Sequence, residues 1–241
     1  MNWSIIILAA GKGTRLKTTT PKPLVPILGT PLIQPILDLS SQFDFAKRII
    51  VTSEYTQEIE TIYSSELFTF VRTEPKGTAD AVLQALPHIT SDNILIAQSD
   101  DSFLYTQQLL CDLMKQHDTC QSDFTVGLAA ITEEIEYRSG IWGPETQQLL
   151  GIRPEKRSQP GDRVVCGLYA GKATWVQSMF SKIPASPSNG EFGIPTAFLQ
   201  GIESEDDIHM FPVPANQWMG VNTPQELEKA IKSIDQSRKI R

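Results

Sequence analysis

The run Ile5-Ile6-Ile7-Leu8 constrains this chain more than any other stretch. It is apolar without a break and rich in β-branched residues. Such a run suits a strand covered on both faces, at the centre of a parallel sheet. Directly behind it stand Ala9-Ala10-Gly11-Lys12-Gly13-Thr14-Arg15. Small residues and glycines let the backbone turn tightly and present bare N–H groups to a ligand. Lys12, Arg15 and Lys22 add fixed positive charge, and no acid occurs between Met1 and Leu37. A loop of this content, at the end of a buried strand, is suited to holding an anion such as a phosphate chain.

Two phosphate motifs fail here. The dinucleotide fingerprint needs a third glycine, and Leu16 stands in its place; the P-loop needs Ser or Thr after Gly-Lys, and Gly13 follows Lys12. The pattern L-A-A-G-x-G-T-R-L followed by P-K-P-L does match, over Leu8 to Leu16 and Pro21 to Leu24. In this the chain resembles the sugar-1-phosphate nucleotidyltransferases, which make nucleotide sugars. The resemblance implies a Rossmann-like three-layer α/β/α fold with a mixed, mostly parallel central sheet, the GT-A-like nucleotidyltransferase fold. It also implies that Leu8, Ala9, Ala10, Gly11, Lys12, Gly13 and Thr14 bind the nucleotide, and that Arg15 and Lys22 are catalytic.

The pattern downstream alternates strands and helices, as in a doubly wound sheet. Thr30-Pro31 reads as an N-cap and first helical residue, although Pro35 conflicts with that register and argues for a start one turn later. Strands are expected at Arg48–Thr52, Leu67–Arg72, Ile94–Ala97, Phe124–Ala130, Gln147–Ile152 and Arg163–Ala170, and helices at Thr56–Ser64, Thr78–Ala85, Thr106–Gln116 and Lys172–Phe180. His88 reads as solvated, and Cys111 and His117 as bystanders on their helix. Near the end, Thr223, Pro224 and Glu226 form a capping box before Leu227, Ala230, Ile231 and Ile234. The expected organisation is a single domain over 1–241. It has a nucleotide-binding part to about 130, a sugar-phosphate part to about 222 and a C-terminal helix over 223–236.

Further site residues follow from the resemblance. Gly77-Thr78 opens a helix where the family contacts the base. Gln98-Ser99-Asp100-Asp101 ends a buried strand where the family has Gly-Asp, with the aspartate on Mg²⁺. Asp100 aligns best, and Asp101 could share or take the role. Asn222, just before Thr223-Pro224, matches the second metal ligand. Gly140, Glu155, Lys156 and Glu191 match positions that line the sugar-phosphate site. Val165-Cys166-Gly167 departs from the family's Asn-Thr-Gly, and of the segment ending in Thr196 only Glu191 matches cleanly. Substrate identity is therefore left open.

The net charge of −7 argues against a nucleic-acid protein, while a local basic cluster still suits phosphorylated ligands. Three cysteines in no close pair read as reduced thiols, consistent with a cytoplasmic protein. The first apolar run is too short for a membrane span, and neither export nor membrane association is expected. No hexapeptide repeat of a left-handed β-helix is present, so no acyltransferase domain is expected. A Pro- and Gly-rich segment around Ile183 to Gly193 offers a contact arm for a homo-oligomer. The implied partners are an NTP and a sugar 1-phosphate. A cytidylyltransferase for a phospho-alcohol such as phosphocholine keeps the same loop and changes the acceptor. A non-catalytic nucleotide or nucleotide-sugar sensor would have no use for Arg15, Lys22 and Asp100 together. A glycosyltransferase of related fold would want Asp-x-Asp, and Asp100-Asp101 lacks the spacer.

Overall fold

A computed structural model describes residues 2–131, 135–136, 141–142, 151–152, 157–158, 160–187 and 190–239. The chain begins with β1 (Trp3–Leu8), a short hairpin of β2 (Pro26–Ile27) and β3 (Thr30–Pro31), α1 (Gln34–Ser41), β4 (Arg48–Thr52) and α2 (Glu58–Ile62). It continues through β5 (Thr69–Arg72), α3 (Thr78–Ala85), β6 (Asn93–Gln98), α4 (Gln107–Cys120) and β7 (Phe124–Ala130). Four two-residue strands follow: β8 (Ile135–Glu136), β9 (Ile141–Trp142), β10 (Gly151–Ile152) and β11 (Arg157–Ser158). The remainder is β12 (Arg163–Lys172), α5 (Ala173–Phe180), α6 (Ile194–Glu203), β13 (Ile208–Val213) and α7 (Pro224–Lys239).

Nine of these strands form one mixed sheet, with β5-β4-β1-β6-β12 in order and β7 then β13 beyond β12. β1 lies parallel to both β4 and β6, with Leu8 opposite Val51 and Gln98. β12 runs antiparallel to β6 and β7, and β13 parallel to β7. Every residue of β1 is buried. Ile6 and Leu8 enter one core with Val82 of α3, Phe180 of α5 and Phe198 of α6. Ile5 and Ile7 enter the other with Ile36 of α1 and Leu109, Leu110 and Leu113 of α4. The period of two thus feeds both faces, and each fully buried isoleucine contributes about 1.5–3 kcal/mol. This is the expected three-layer architecture.

The structure corrects several element boundaries. Thr30-Pro31 does not open a helix: Thr30 and Pro31 pair with Ile27 and Pro26. α1 starts at Gln34 with Pro35 in its first turn, where the missing N–H costs nothing. β12 runs on to Lys172, and the helix behind it starts at Ala173. α6 and β13 were not anticipated. α6 has Gly193 as N-cap and Pro195 in its first turn, so its start reads as loop. β13 carries Pro212, which an unpaired strand edge tolerates. Of the expected strand Gln147–Ile152, only Gly151–Ile152 lies within the described residues.

α7 closes a third, smaller core. Ala230 packs there with Val221, Leu16, Val25, Ile27 and Leu32. The last helix therefore backs the loop that follows β1.

Candidate active site

After β1 the chain builds β4 and β5 on one side, then crosses by α3 to β6 on the other. The carboxyl ends of β1 and β6 border the crevice at this reversal, the place where open α/β sheets bind ligands. The loop after β1 and the turn after β6 are stitched together there by Ser99 N–H donating to Leu8 C=O at 3.1 Å. A cleft of about 800 Å³ opens at this point, ample for a nucleotide and a small acceptor.

The loop takes its shape from two left-handed residues. Gly13 has φ +63° and Lys17 φ +53°, and between them Thr14–Leu16 makes one 3₁₀ turn. Leu16 is the buried anchor of that turn, which leaves Thr14 and Arg15 exposed at the cleft. Gly13 is required for space as well as for conformation, because a Cβ there would lie 2.7 Å from Lys22 Cβ. The loop and Lys22 are thus in direct contact. Lys12 extends over the Tyr55 ring, its ammonium 5.1 Å from the centroid, a cation–π contact at the edge of the loop.

Lys22 lies in a second 3₁₀ turn, Lys22–Leu24, behind Pro21. Its ammonium donates to Asp100 Oδ2 and, at 3.0 Å, to Asn222 Oδ1. The Lys22 side chain is 11% exposed and Asp100 23%. Both acceptors are fixed from behind. Val221 N–H approaches Asp100 C=O at 3.4 Å. Glu226 Oε2 accepts from Asn222 N–H at 2.6 Å and from Thr223 N–H at 3.0 Å, while Thr223 Oγ1 accepts from Glu226 N–H at 3.2 Å. The predicted capping box therefore also positions Asn222.

Asp101 does not line the cleft. It is fully buried beneath it, with its carboxylate against Gly167, where a Cβ would come within 2.7 Å of Oδ2. Neither Asp101 nor Ser102 caps α4: that role falls to Thr106, whose hydroxyl accepts from Leu109 N–H at 3.2 Å.

The opposite wall joins two segments distant in sequence. Phe192 N–H donates to Lys76 C=O at 2.8 Å, Ala79 N–H to Phe192 C=O at 2.9 Å, and Ile194 N–H to Thr78 Oγ1 at 3.0 Å. Gly77 lies between them with φ +121°, and a Cβ there would sit 2.3 Å from Phe192 O. This strap is not legible in the sequence, because its two halves share no pattern. It carries Gly77, Thr78 and Glu191 to the same wall of the cleft.

All the predicted site residues within the described part of the chain line this one cleft: Leu8 to Arg15, Lys22, Gly77, Thr78, Asp100, Glu191 and Asn222. Gly140, Glu155 and Lys156 lie outside the described residues. Val165, Tyr169, Pro195, Thr196, Phe198 and Leu199 also line the cleft, and sequence reasoning had not assigned them to it. At the departure Val165-Cys166-Gly167, Val165 faces the cleft, while Cys166 is fully buried in the core.

A phosphate-type loop at the switch point, facing a lysine between an aspartate and an asparagine, defines a nucleotide-handling α/β transferase, of the nucleotidyltransferase class. The chain belongs to the family of MobA-like NTP transferase domains, whose model matches residues 5–142. The resemblance read from Leu8–Leu16 and Pro21–Leu24 is thereby borne out. The chain is 28% identical over 243 residues to the bifunctional protein GlmU of Desulfotalea psychrophila, covering 98% of this chain and 71% of that one. Among other curated GlmU relatives it spans about half their length, 51% in two of them. A candidate glucose-1-phosphate thymidylyltransferase from Bacillus anthracis shares the fold with TM-score 0.78 and 18% identity, over 96% of this chain and 94% of that one. The inositol-1-phosphate CTP transferase of T. maritima gives TM-score 0.74 and 16% identity, over 95% and 96%. Among the described residues, no helix is long and apolar enough to cross a membrane.

Proposed function

We propose that this chain moves a nucleotidyl group from an NTP to a sugar 1-phosphate, releasing pyrophosphate, with Mg²⁺ as cofactor. The observation that carries the reading is Lys22, whose Cβ packs against Gly13 of the glycine loop and whose ammonium is held between Asp100 and Asn222. In the reaction a phosphate oxygen of the acceptor forms a bond to the α-phosphorus. The α–β bridging bond breaks, and its electron pair leaves with pyrophosphate. The nucleophile is already an anion near neutral pH, so no general base is needed; phosphomonoester pKa values lie near 6. What remains for the protein is to position two anions and neutralise charge as it develops.

Arg15 would meet the β- and γ-phosphates and the departing pyrophosphate. Lys22 would hold the α-phosphate and the attacking oxygen. The loop from Leu8 to Thr14 would cradle the nucleotide, with Gly77-Thr78 against the base and Glu191 toward the acceptor. Asp100 Oδ2 and Asn222 Oδ1 suit Mg²⁺, since both are hard oxygens and already converge on a single cation, the ammonium. Among the described residues no cluster of three His, Cys, Asp or Glu forms a metal cage, so substrate phosphates would complete the coordination. Bound there, Mg²⁺ supplies Lewis-acid stabilisation of the phosphoryl oxygens. Residues to about 130 would form the nucleotide half, and those to about 222 the acceptor half.

The test is pyrophosphate release with Mg²⁺ over a matrix of NTPs and sugar 1-phosphates. We expect release that needs both substrates. A nucleotide-induced thermal shift with no release under any pairing would overturn the reading in favour of a binding module. One observation favours a second acceptor class, a phospho-alcohol such as phosphocholine. Val165, Pro195, Phe198 and Leu199 make part of the acceptor wall apolar, beside the Glu191 carboxylate. The fold is shared with a protein whose name gives inositol 1-phosphate as its substrate, so the fold alone does not choose. CTP with phosphocholine belongs in the same matrix.

A further inference from the structure

We infer that Lys22 occupies the metal position when no nucleotide is bound, so that the divalent cation is admitted only together with the nucleotide. This deepens the reading above and rests on its assignment of Asp100 and Asn222 as metal ligands. One ammonium touches Asp100 Oδ2 and Asn222 Oδ1 together. A divalent ion bridging the same two oxygens would need the volume the ammonium fills. It would also face a like charge at contact distance, in a pocket where Lys22 is only 11% exposed and screening is weak.

The three partners differ in mobility. Asp100 is fastened through its carbonyl to Val221, and Asn222 through its N–H to Glu226. Lys22 has its backbone in a short turn and its Cβ packed beside Gly13, but its ammonium is carried on a flexible four-carbon stem. The two acceptors sit on short side chains with anchored backbones, so the ammonium on its longer stem is the part with the greater reach to leave. The glycine loop packs beside the Lys22 Cβ and lines the same cleft, so phosphates bound there would offer the ammonium replacement acceptors. Nucleotide would thus draw Lys22 off the oxygens and complete the coordination of the incoming ion. Until then the ammonium keeps a partly buried carboxylate neutralised. The coupling is reciprocal: nucleotide tightens metal binding by the same factor that metal tightens nucleotide binding.

The probe is Mn²⁺, titrated into the full chain and followed by electron paramagnetic resonance of the unbound ion, without nucleotide. Wild type should bind Mn²⁺ weakly at this site. Lys22→Met should bind it about tenfold or more tightly, and Lys22→Met combined with Asp100→Asn should lose that gain. Lys22→Gln provides the same comparison should the methionine variant not fold, as judged by circular dichroism and thermal melting. In wild type, a non-hydrolysable NTP analogue should tighten Mn²⁺ by a similar factor. Unchanged or weaker Mn²⁺ binding in the folded Lys22 variant overturns the inference, as does tight nucleotide-independent binding in wild type. The readout is separate from turnover. Pyrophosphate release without the Mn²⁺ gain leaves the proposed reaction standing and removes the inference. The gain without release does the reverse.

Discussion

Gly13 shows how much one residue can decide. It combines a left-handed φ with contact against Lys22, so Gly13→Ala adds backbone strain and pushes the lysine. We expect a loss of about 1–2 kcal/mol in urea unfolding from the left-handed backbone. Turnover should fall about a hundredfold, because displacement of a positioning group by about an ångström has that effect. Arg15 is exposed at the cleft, and Arg15→Ala should leave the protein folded by circular dichroism. Steady-state pyrophosphate release should nevertheless fall by on the order of a hundredfold or more. The loop residues were legible because glycines and cations in a fixed order have few other uses. Asp101 was less legible. Two adjacent carboxylates look equivalent in a sequence, and only the β6 turn separates one lining the cleft from one buried below it.

Among the elements, α7 and α4 fall where the sequence places them but do more than their patterns indicate. α7 was recognised from its capping box, yet the sequence could not say that Glu226 also holds the backbone of Asn222. Glu226→Ala should cost about 1 kcal/mol as a lost cap and weaken Mn²⁺ binding in the presence of nucleotide. A drop in melting temperature with unchanged metal affinity would confine Glu226 to capping. On α4, His117 is no bystander. It is buried against Trp3 and shares a 2.9 Å hydrogen bond with Thr125. Burial, helped by the nearby Lys172 charge, lowers its pKa from 6.5 to about 4. A base with a lowered folded pKa protonates first in the unfolded chain. Its stabilising share is therefore complete above pH 6.5 and is lost as pH falls toward 4, by about 3 kcal/mol at most. Urea unfolding at pH 7 and pH 4.5 should show that slope in wild type, and His117→Asn should flatten it. Amphipathic spacing placed the helix, but not which polar residue lay on its inner side.

At the scale of the whole molecule, the layered sheet was legible because Ile5–Leu8 and Ile94–Ala97 are apolar without interruption, which only doubly covered strands require. α6 and β13 escaped because proline and glycine mask their starts and edges, and the wall from Lys76 to Ile194 escaped because it exists only in tertiary structure. That wall can be tested as a unit. Gly77→Ala would force a Cβ into the Phe192 backbone, so the strap must part or the chain lose stability, by about 2–4 kcal/mol in thermal or urea unfolding. A melting temperature equal to wild type would mean that the two segments are not joined. Because the two segments share backbone hydrogen bonds, the proposed roles, base at Gly77-Thr78 and acceptor at Glu191, would tie selectivity for one reactant to selectivity for the other. Grafting residues 187–193 from a relative with a different acceptor preference should therefore also shift which base the hybrid accepts, and engineering of this scaffold will have to exchange 74–79 along with it.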